Sequence, residues 1–121
     1  MSRFVRAFAL CATAIAAASP ALALDAISSR SHFLDALDGR ELRIPIYTLR
    51  LNVRGDGRIE GRALGIDVTG DWTWQDGYFC REMLWGNREI PYNCQLVEAE
   101  GNTMRFTTDR GAGEYADFRL R

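Results

Sequence analysis

The chain has 121 residues, a formal net charge of −1 and a single histidine, and all 15 of its basic side chains are arginine. The lack of lysine excludes Schiff-base catalysis and P-loop phosphate binding, and one histidine excludes most zinc sites and the usual acid/base pairs. The nearly neutral charge gives no reason to expect nucleic acid or an anionic membrane as a partner.

Residues 1–23 have the pattern of a secretory signal peptide. Arg3 and Arg6 form a positive n-region, an uncharged apolar stretch follows, and residues 21–23 (Ala-Leu-Ala) match a cleavage site. The apolar stretch is shorter than the about 20 residues that span a bilayer, so we expect cleavage and no stable membrane anchor. An uncleaved N-terminal anchor is the alternative. Cleavage would leave a single small domain, residues 24–121, in the periplasm or outside the cell.

The only convincing helical pattern after the signal peptide covers residues 28–38. Apolar residues at positions i, i+3 and i+4 form one face, Ser29 or Ser31 is a candidate N-cap, and Gly39 lies where a glycine would end the helix. The lone histidine, His32, falls near the start of this helix. We expect it to be solvated or packed rather than to bind a ligand, because no second histidine can complete a site.

From residue 40 onward the pattern changes to a two-residue period that is interrupted by turn residues. Asp-Gly pairs at positions 56–57 and 76–77 predict hairpin turns, the second of type I′. Gly61 interrupts one alternating segment, which indicates a bulge or a close approach of the neighbouring strand. A looser connection is expected at residues 86–91. About seven or eight short strands result, and the segments are residues 47–53, 58–63, 71–75, 78–85, 93–99, 103–108 and 114–120.

These elements predict an all-β fold with one short N-terminal helix. Strands do not alternate with helices as a parallel sheet requires, so an antiparallel meander is expected. A meander with this many strands most easily removes its exposed edges by closing into a small barrel or a sandwich. The helix would then plug one end of the barrel or cover one edge.

Two of the three cysteines are expected to form a disulfide. Cys11 lies in the predicted signal peptide and would be removed with it, which leaves Cys80 and Cys94 in an oxidising compartment. If their segments form a hairpin, the two residues fall near opposite positions across it. The bridge closes a loop of about 15 residues, which the chain-entropy model values at about 3 kcal/mol. Two free buried thiols are the alternative.

The densest aromatic cluster of the chain lies between residues 72 and 85. Aromatic residues at this density usually form the core of a small β domain. The alternative is a surface or pocket that holds a sugar ring, a peptide or an apolar ligand. Under that alternative the tentative binding residues are Trp72, Trp74, Tyr78, Arg81 and Trp85.

Arg81 is the residue of this cluster whose environment is most informative. On a two-residue period it shares a face with Phe79 and Met83. If that face is internal, the buried charge needs a partner, for which Asp71 and Glu98 are candidates. If the face opens to a cavity, Arg81 would bind an anionic group.

No catalytic residue, metal site or cofactor is predicted. Asp56 and Asp76 lie in turns, where aspartate has a sufficient local explanation. Asp67 and Asp71 flank Gly70, and this spacing gives no support for a glycosidase pair.

Three segments carry a resemblance to a known group of proteins: residues 72–81 (WTWQDGYFCR), 93–95 (NCQ) and 101–111 (GNTMRFTTDRG). They resemble small exported alphaproteobacterial proteins with no established function, and the likeness covers nearly the whole chain after the signal peptide. Some members carry the name dihydrodipicolinate reductase. Such an enzyme needs a glycine-rich nucleotide-binding fingerprint and a catalytic histidine and lysine region, which this chain lacks. The resemblance implies a secreted β domain and supplies no catalytic residue.

Three functions are compatible with these features. The leading hypothesis is a non-enzymatic, disulfide-linked β domain that binds an unknown ligand or an envelope protein. The second is an inhibitor or envelope accessory protein that acts through an exposed loop, at residues 86–91 or 109–113. The third is a hydrolase built from carboxylates. A cavity lined by Trp72, Trp74 and Arg81 would favour the first, a protruding loop the second, and acids that converge in a groove the third.

Overall fold

The computed structural model describes residues 11–13 and 23–121. Most of the predicted signal peptide therefore lies outside the described residues, and its cleavage stays a prediction. No helix within these two ranges is long and apolar enough to cross a membrane. They contain one α-helix, α1 (Arg30–Leu37), and 3₁₀ turns at Pro45–Tyr47 and Asp109–Gly111. The strands are β1 (Asp25–Ala26), β2 (Leu42–Ile44), β3 (Leu49–Val53), β4 (Arg58–Ala63), β5 (Ile66–Gln75), β6 (Tyr78–Trp85), β7 (Arg88–Glu100), β8 (Thr103–Thr107) and β9 (Tyr115–Leu120).

Eight of these strands, β2 to β9, form a closed antiparallel barrel, which confirms the predicted all-β fold. Each strand pairs with the next along the chain, and β9 pairs with β2 to close the ring. Leu42 lies opposite Leu120 at this closing pair. The short β1 adds to β7 outside the ring, with Ala26 opposite Glu98. Closure pairs the edges that an open meander would expose.

Two strands are longer than the sequence pattern predicts. β5 begins at Ile66, five residues earlier than expected, and β7 begins at Arg88. The prediction of a looser connection at residues 86–91 is therefore wrong, because a tight turn joins β6 directly to β7. The misleading residue is Pro91, which lies at a bulge where β7 places two residues opposite one on β6. A proline is tolerated at a bulge because its missing N–H is not needed by the ladder there.

Two glycine-dependent predictions are confirmed. Asp76 and Gly77 both have positive φ, at 52° and 86°, as a type I′ turn requires. Gly61 is a point of close strand approach, because a Cβ there would overlap the carbonyl oxygen of Arg50 on β3. The strand therefore admits no larger residue at this position without moving its neighbour.

The barrel has two unlike ends. We call the helix end the one that carries the β3–β4, β5–β6 and β7–β8 turns, and the open end the one that carries the remaining connections. At the helix end the side chain of Phe33 is fully buried. Its ring centroid lies 5.4 Å from that of Trp72, 5.3 Å from that of Trp74 and 5.2 Å from that of Phe79. Helix α1 thus plugs this end, which is one of the two positions expected for it.

Polar contacts fix the helix at both of its ends. Ser29 is the N-cap, since its hydroxyl accepts a hydrogen bond from the backbone N–H of His32 at 3.2 Å. The C-cap is Asp38, and Gly39 follows it with a φ of 67°, so the glycine ends the helix where the sequence predicts. Arg40 then donates to the carbonyl of Ala36 at 3.0 Å and to Asn102 in the β7–β8 turn at 2.9 Å. These bonds hold the plug against the hairpin turns.

The predicted disulfide is present between Cys80 and Cys94, which lie directly opposite each other on β6 and β7. It links two adjacent strands of the barrel, as the hairpin interpretation requires. Disulfides persist in oxidising surroundings, so this bond fits a protein that works outside the cytoplasm.

Candidate functional site

A cavity of about 310 Å³ lies inside the barrel, and the β8–β9 connection at the open end forms part of its wall. Its walls are mainly apolar, and their largest side chains are Leu42, Leu51, Ile59, Phe79, Phe106 and Phe118. Polar groups join them from β6, β7 and the β8–β9 connection: Arg81, Gln95, Thr108, Glu114 and Tyr115. An eight-stranded barrel has room for one small ligand at most, and an apolar pocket with a few polar groups is the usual form of such a site.

Arg81 is the charged group inside this cavity. Only 9% of the residue is exposed, and its guanidinium donates a hydrogen bond to the carbonyl oxygen of Pro91. The bulge on β7 leaves this carbonyl available, because Pro91 has no partner in the regular register. Burial lowers the pKa of Arg81, and an arginine remains protonated at neutral pH even so. The cavity therefore contains a fixed positive charge.

The prediction that Asp71 or Glu98 pairs with Arg81 inside the barrel is wrong. Asp71 lies on the outer face of the barrel, between Arg58 and Glu82. Glu98 lies opposite Arg105 on β8. Within residues 23–121, Arg81 forms no ion pair with an acid. The structure thus places it as the cavity-facing alternative requires, with N–H donors left over beyond the one that binds Pro91.

Side-chain hydrogen bonds hold the mouth of the cavity in place. β7 pairs with β6 up to Gln95 but with β8 only from Leu96 onward, so the ladder is incomplete at the open end. Asn93 bridges this gap, since its amide donates to the carboxylate of Asp109 at 2.8 Å. Its amide oxygen accepts from the backbone N–H of Asp109 at 3.0 Å. The β8–β9 connection is thereby fastened to β7 beside the cavity.

The tryptophans predicted as tentative binding residues lie elsewhere. Trp72 is buried, and its indole N–H donates to the carbonyl of Arg54 at 2.8 Å. Trp74 stacks on Phe33 at the helix end. The indole N–H of Trp85 donates to the carbonyl of Ala63 at 2.9 Å. All three belong to the barrel's packing, which agrees with the core interpretation of the cluster.

Tyr78 does not line the cavity either, and its ring lies 5.4 Å from the guanidinium of Arg110. Of the five tentative residues, Arg81 alone lines the cavity. Sequence reasoning missed Gln95, although it lies opposite Phe79 and could have been placed from the predicted hairpin register. Glu114 and Tyr115 could not be found this way, because they reach the cavity only through barrel closure.

No protein-family model, curated protein or solved structure matches this chain. The chemistry of the cavity therefore rests on the residues that line it.

A second, wider depression of about 730 Å³ lies outside the barrel, on strands β4 to β7. Its acidic side chains are Glu60, Asp71, Glu82 and Glu89. Asp71 and Glu82 are direct neighbours on adjacent strands, with Arg58 next in the same row. Glycosidase chemistry needs two carboxylates that flank a bound substrate, whereas these two lie side by side on one exposed surface. No group of three or more potential metal ligands occurs in the part of the chain that the structure describes.

Proposed function

We propose that this protein is a non-enzymatic binding domain whose barrel holds one small ligand with an apolar body and an anionic group. The observation that carries this proposal is Arg81, a buried guanidinium that pairs with no acid among residues 23–121 and lies in a mainly apolar cavity. A buried unpaired charge costs free energy, and an anionic ligand would remove that cost by forming charge-assisted hydrogen bonds. The apolar walls would bury the remainder of the ligand.

The cavity's volume and its charged residues limit the size and the charge of the ligand. The cavity volume of about 310 Å³ suits a single compact molecule rather than a polymer. A carboxylate is the best match for the planar guanidinium, since the two groups form parallel hydrogen bonds. Glu114 at the mouth disfavours a second negative charge on the ligand. We therefore assign the site to a monocarboxylate with an aliphatic or aromatic body.

We further propose that the protein works in the periplasm or is secreted. The disulfide and the predicted signal peptide support this location. The alternative function through an exposed loop has weaker support. Residues 88–91 belong to strand β7, and the connection at residues 109–113 is fastened to Asn93.

Titration calorimetry with decanoate and with decanol tests the ligand proposal. The two probes share an alkyl chain and differ in their head group, so we expect the oxidised protein to bind decanoate more tightly. Arg81→Met should weaken decanoate binding by about tenfold to a hundredfold, the usual value of a hydrogen bond to a charged group. Its effect on decanol should be small. Arg58→Met is the matched control, because it removes an exposed arginine from the outer face.

Arg81→Met is expected to fold at least as well as the original protein, because it replaces a buried charge by an apolar side chain of similar length. A loss of decanoate binding can therefore be separated from a loss of structure by thermal unfolding. Equal affinity for decanoate and decanol, or decanoate binding that survives Arg81→Met, would overturn the proposal.

A further inference from the structure

Four arginines lie in one row across the outer face of four neighbouring strands. Arg119 on β9 is directly opposite Arg43 on β2. Arg43 is in turn opposite Arg50 on β3, and Arg50 is opposite Arg62 on β4. Neighbouring strands lie about 4.8 Å apart, so the arginine row extends over roughly 14 Å of the surface. Three of these arginines lie on consecutive strands, and closure of the barrel adds the fourth, Arg119.

The arginine row is poorly neutralised by the protein itself. Arg43 lies 3.5 Å from Glu41 and Arg62 lies 3.6 Å from Asp67, both as exposed or half-exposed pairs. Arg50 and Arg119 are exposed and form no ion pair within residues 23–121. Like charges directly opposite each other on a sheet repel. The row is therefore a local positive field that an external anion would stabilise.

Apolar side chains stand beside the row, on the two hairpin tips at the open end. Ile46 is 80% exposed, Leu64 is 59% exposed and Tyr47 is 54% exposed. We call these three residues the apolar tips. The backbone N–H of Leu64 donates to the carbonyl of Tyr47 at 3.1 Å, so the two hairpins form one platform. Arg43 and Arg50 each lie three residues from an apolar tip of the β2–β3 hairpin, and Arg62 lies two residues from Leu64.

We infer that this side of the open end docks reversibly on an anionic lipid surface. Aliphatic and aromatic side chains partition into the boundary between headgroups and acyl chains, and adjacent arginines pair with lipid phosphates just above it. The order of groups along both hairpins matches that requirement. A soluble polyanion would use the row but would leave Ile46 and Leu64 in water, so the apolar tips favour a lipid surface.

The charge on the rest of the barrel supports a single docking orientation. The outer face of β5 to β7 carries acidic residues, among them Asp71, Glu82 and Glu89. An anionic surface repels this face and attracts the arginine row, so the protein would orient itself before contact. This asymmetry is lost in the net charge of −1. Docking of this kind needs no membrane-spanning anchor and depends on ionic strength.

Co-sedimentation with lipid vesicles tests the inference. The purified, oxidised protein should bind vesicles made of equal parts phosphatidylglycerol and phosphatidylcholine, and should bind vesicles of phosphatidylcholine alone far less. Arg50→Gln should weaken binding to the anionic vesicles by about fivefold, the usual effect of one arginine near such a surface. Arg58→Gln is the matched control, because it removes an equal charge on β4 outside the row. Equal effects of the two variants, or no preference for anionic vesicles, would overturn the inference.

Leu64→Asn separates a lipid surface from a soluble polyanion. Leu64 has a φ of 52°, a conformation that asparagine tolerates better than leucine, so the variant should fold normally. Its affinity for the anionic vesicles should fall severalfold, although it retains all four arginines of the row. If heparin binds the original protein as tightly as the vesicles do, and Leu64→Asn changes neither affinity, the occupant is a soluble polyanion and the lipid assignment is wrong.

Discussion

The two ends of the barrel divide stability from the proposed binding functions. At the helix end Phe33 and Leu37 are buried, and Arg40 connects the helix to a hairpin turn. At the open end the apolar side chains face solvent instead. The large exposed hydrophobic residues of the described part all lie in this half: Ile46, Tyr47, Leu64, Ile66, Leu84, Tyr92 and Tyr115.

The difference shows where this small domain uses its apolar surface. A domain of this size buries only about 60 to 70% of the surface that its unfolded chain exposes, so each buried residue matters. One end is filled and covered. The other keeps a cavity with a buried charge and an uncovered apolar rim, both of which reduce stability. Four predictions test this division, from the largest expected effect to the smallest.

Removing the plug should have the largest effect. Phe33→Ala deletes a ring that is fully buried among other aromatic rings, and we expect it to lower the free energy of unfolding by about 3–5 kcal/mol. Urea denaturation followed by tryptophan fluorescence measures the change. The matched substitution at the open end, Ile46→Ala, should change stability by less than about 0.5 kcal/mol. Similar losses from both variants would contradict the division.

Removing the disulfide should come next. The double variant Cys80→Ala/Cys94→Ala should lower the free energy of unfolding by about 3 kcal/mol, because the unfolded chain regains the freedom of a closed loop. The original protein measured with and without reductant is the control, and reduction should reproduce the loss. An unchanged melting temperature on reduction would show that the bond is dispensable.

Forcing β3 and β4 apart should lower the free energy of unfolding by a smaller amount, and this loss does not involve the helix. Gly61→Ala forces a methyl group against the carbonyl of Arg50, and we expect a cost of about 1–3 kcal/mol. Gly55→Ala is the control, since a Cβ there has no neighbour within 4 Å. Chemical denaturation of the two variants provides the comparison. If Gly61→Ala leaves the free energy of unfolding unchanged, β3 and β4 can move apart at little cost, and the barrel wall is less rigid than the close approach indicates.

The smallest effect on stability is expected from removing the Arg105–Asp117 ion pair, and it should depend on pH. Arg105 donates to both carboxylate oxygens of Asp117, at 2.7 and 3.0 Å, and this lowers the pKa of Asp117. A carboxyl whose pKa is lowered by folding adds stability above its unfolded pKa and loses it as the pH falls through the folded pKa. Asp117→Asn should therefore be slightly less stable than the original at neutral pH and equally stable in strong acid. A constant difference across the titration would exclude this pair as a source of acid sensitivity.

Much of the fold follows from local pattern. Alternating residues predict the positions of β4 and β6 correctly, and the Asp76–Gly77 pair predicts its turn type. The pairing of Cys80 with Cys94 follows from the hairpin between them. The pattern misplaced the start of β7, because Pro91 usually marks the end of a strand but here lies at a bulge within one. The tryptophans lie in the packing of the barrel, where residue type alone could not separate core from pocket.

The sequence by itself determined the all-β class, the single helix, the disulfide and the lack of lysine-based chemistry, because these depend on residues near one another along the chain. Only the tertiary structure decided that the face of Arg81 encloses a cavity. Arg81 pairs with no acid among residues 23–121, since β5 places Trp72 opposite Arg81 and Asp71 on the outer face. Arg119 likewise joins the arginine row only in the closed barrel, because closure pairs β9 with β2, whereas the other three arginines lie on the consecutive strands β2 to β4. Closure sets which side chains meet between β9 and β2, and no local pattern in either strand records that register.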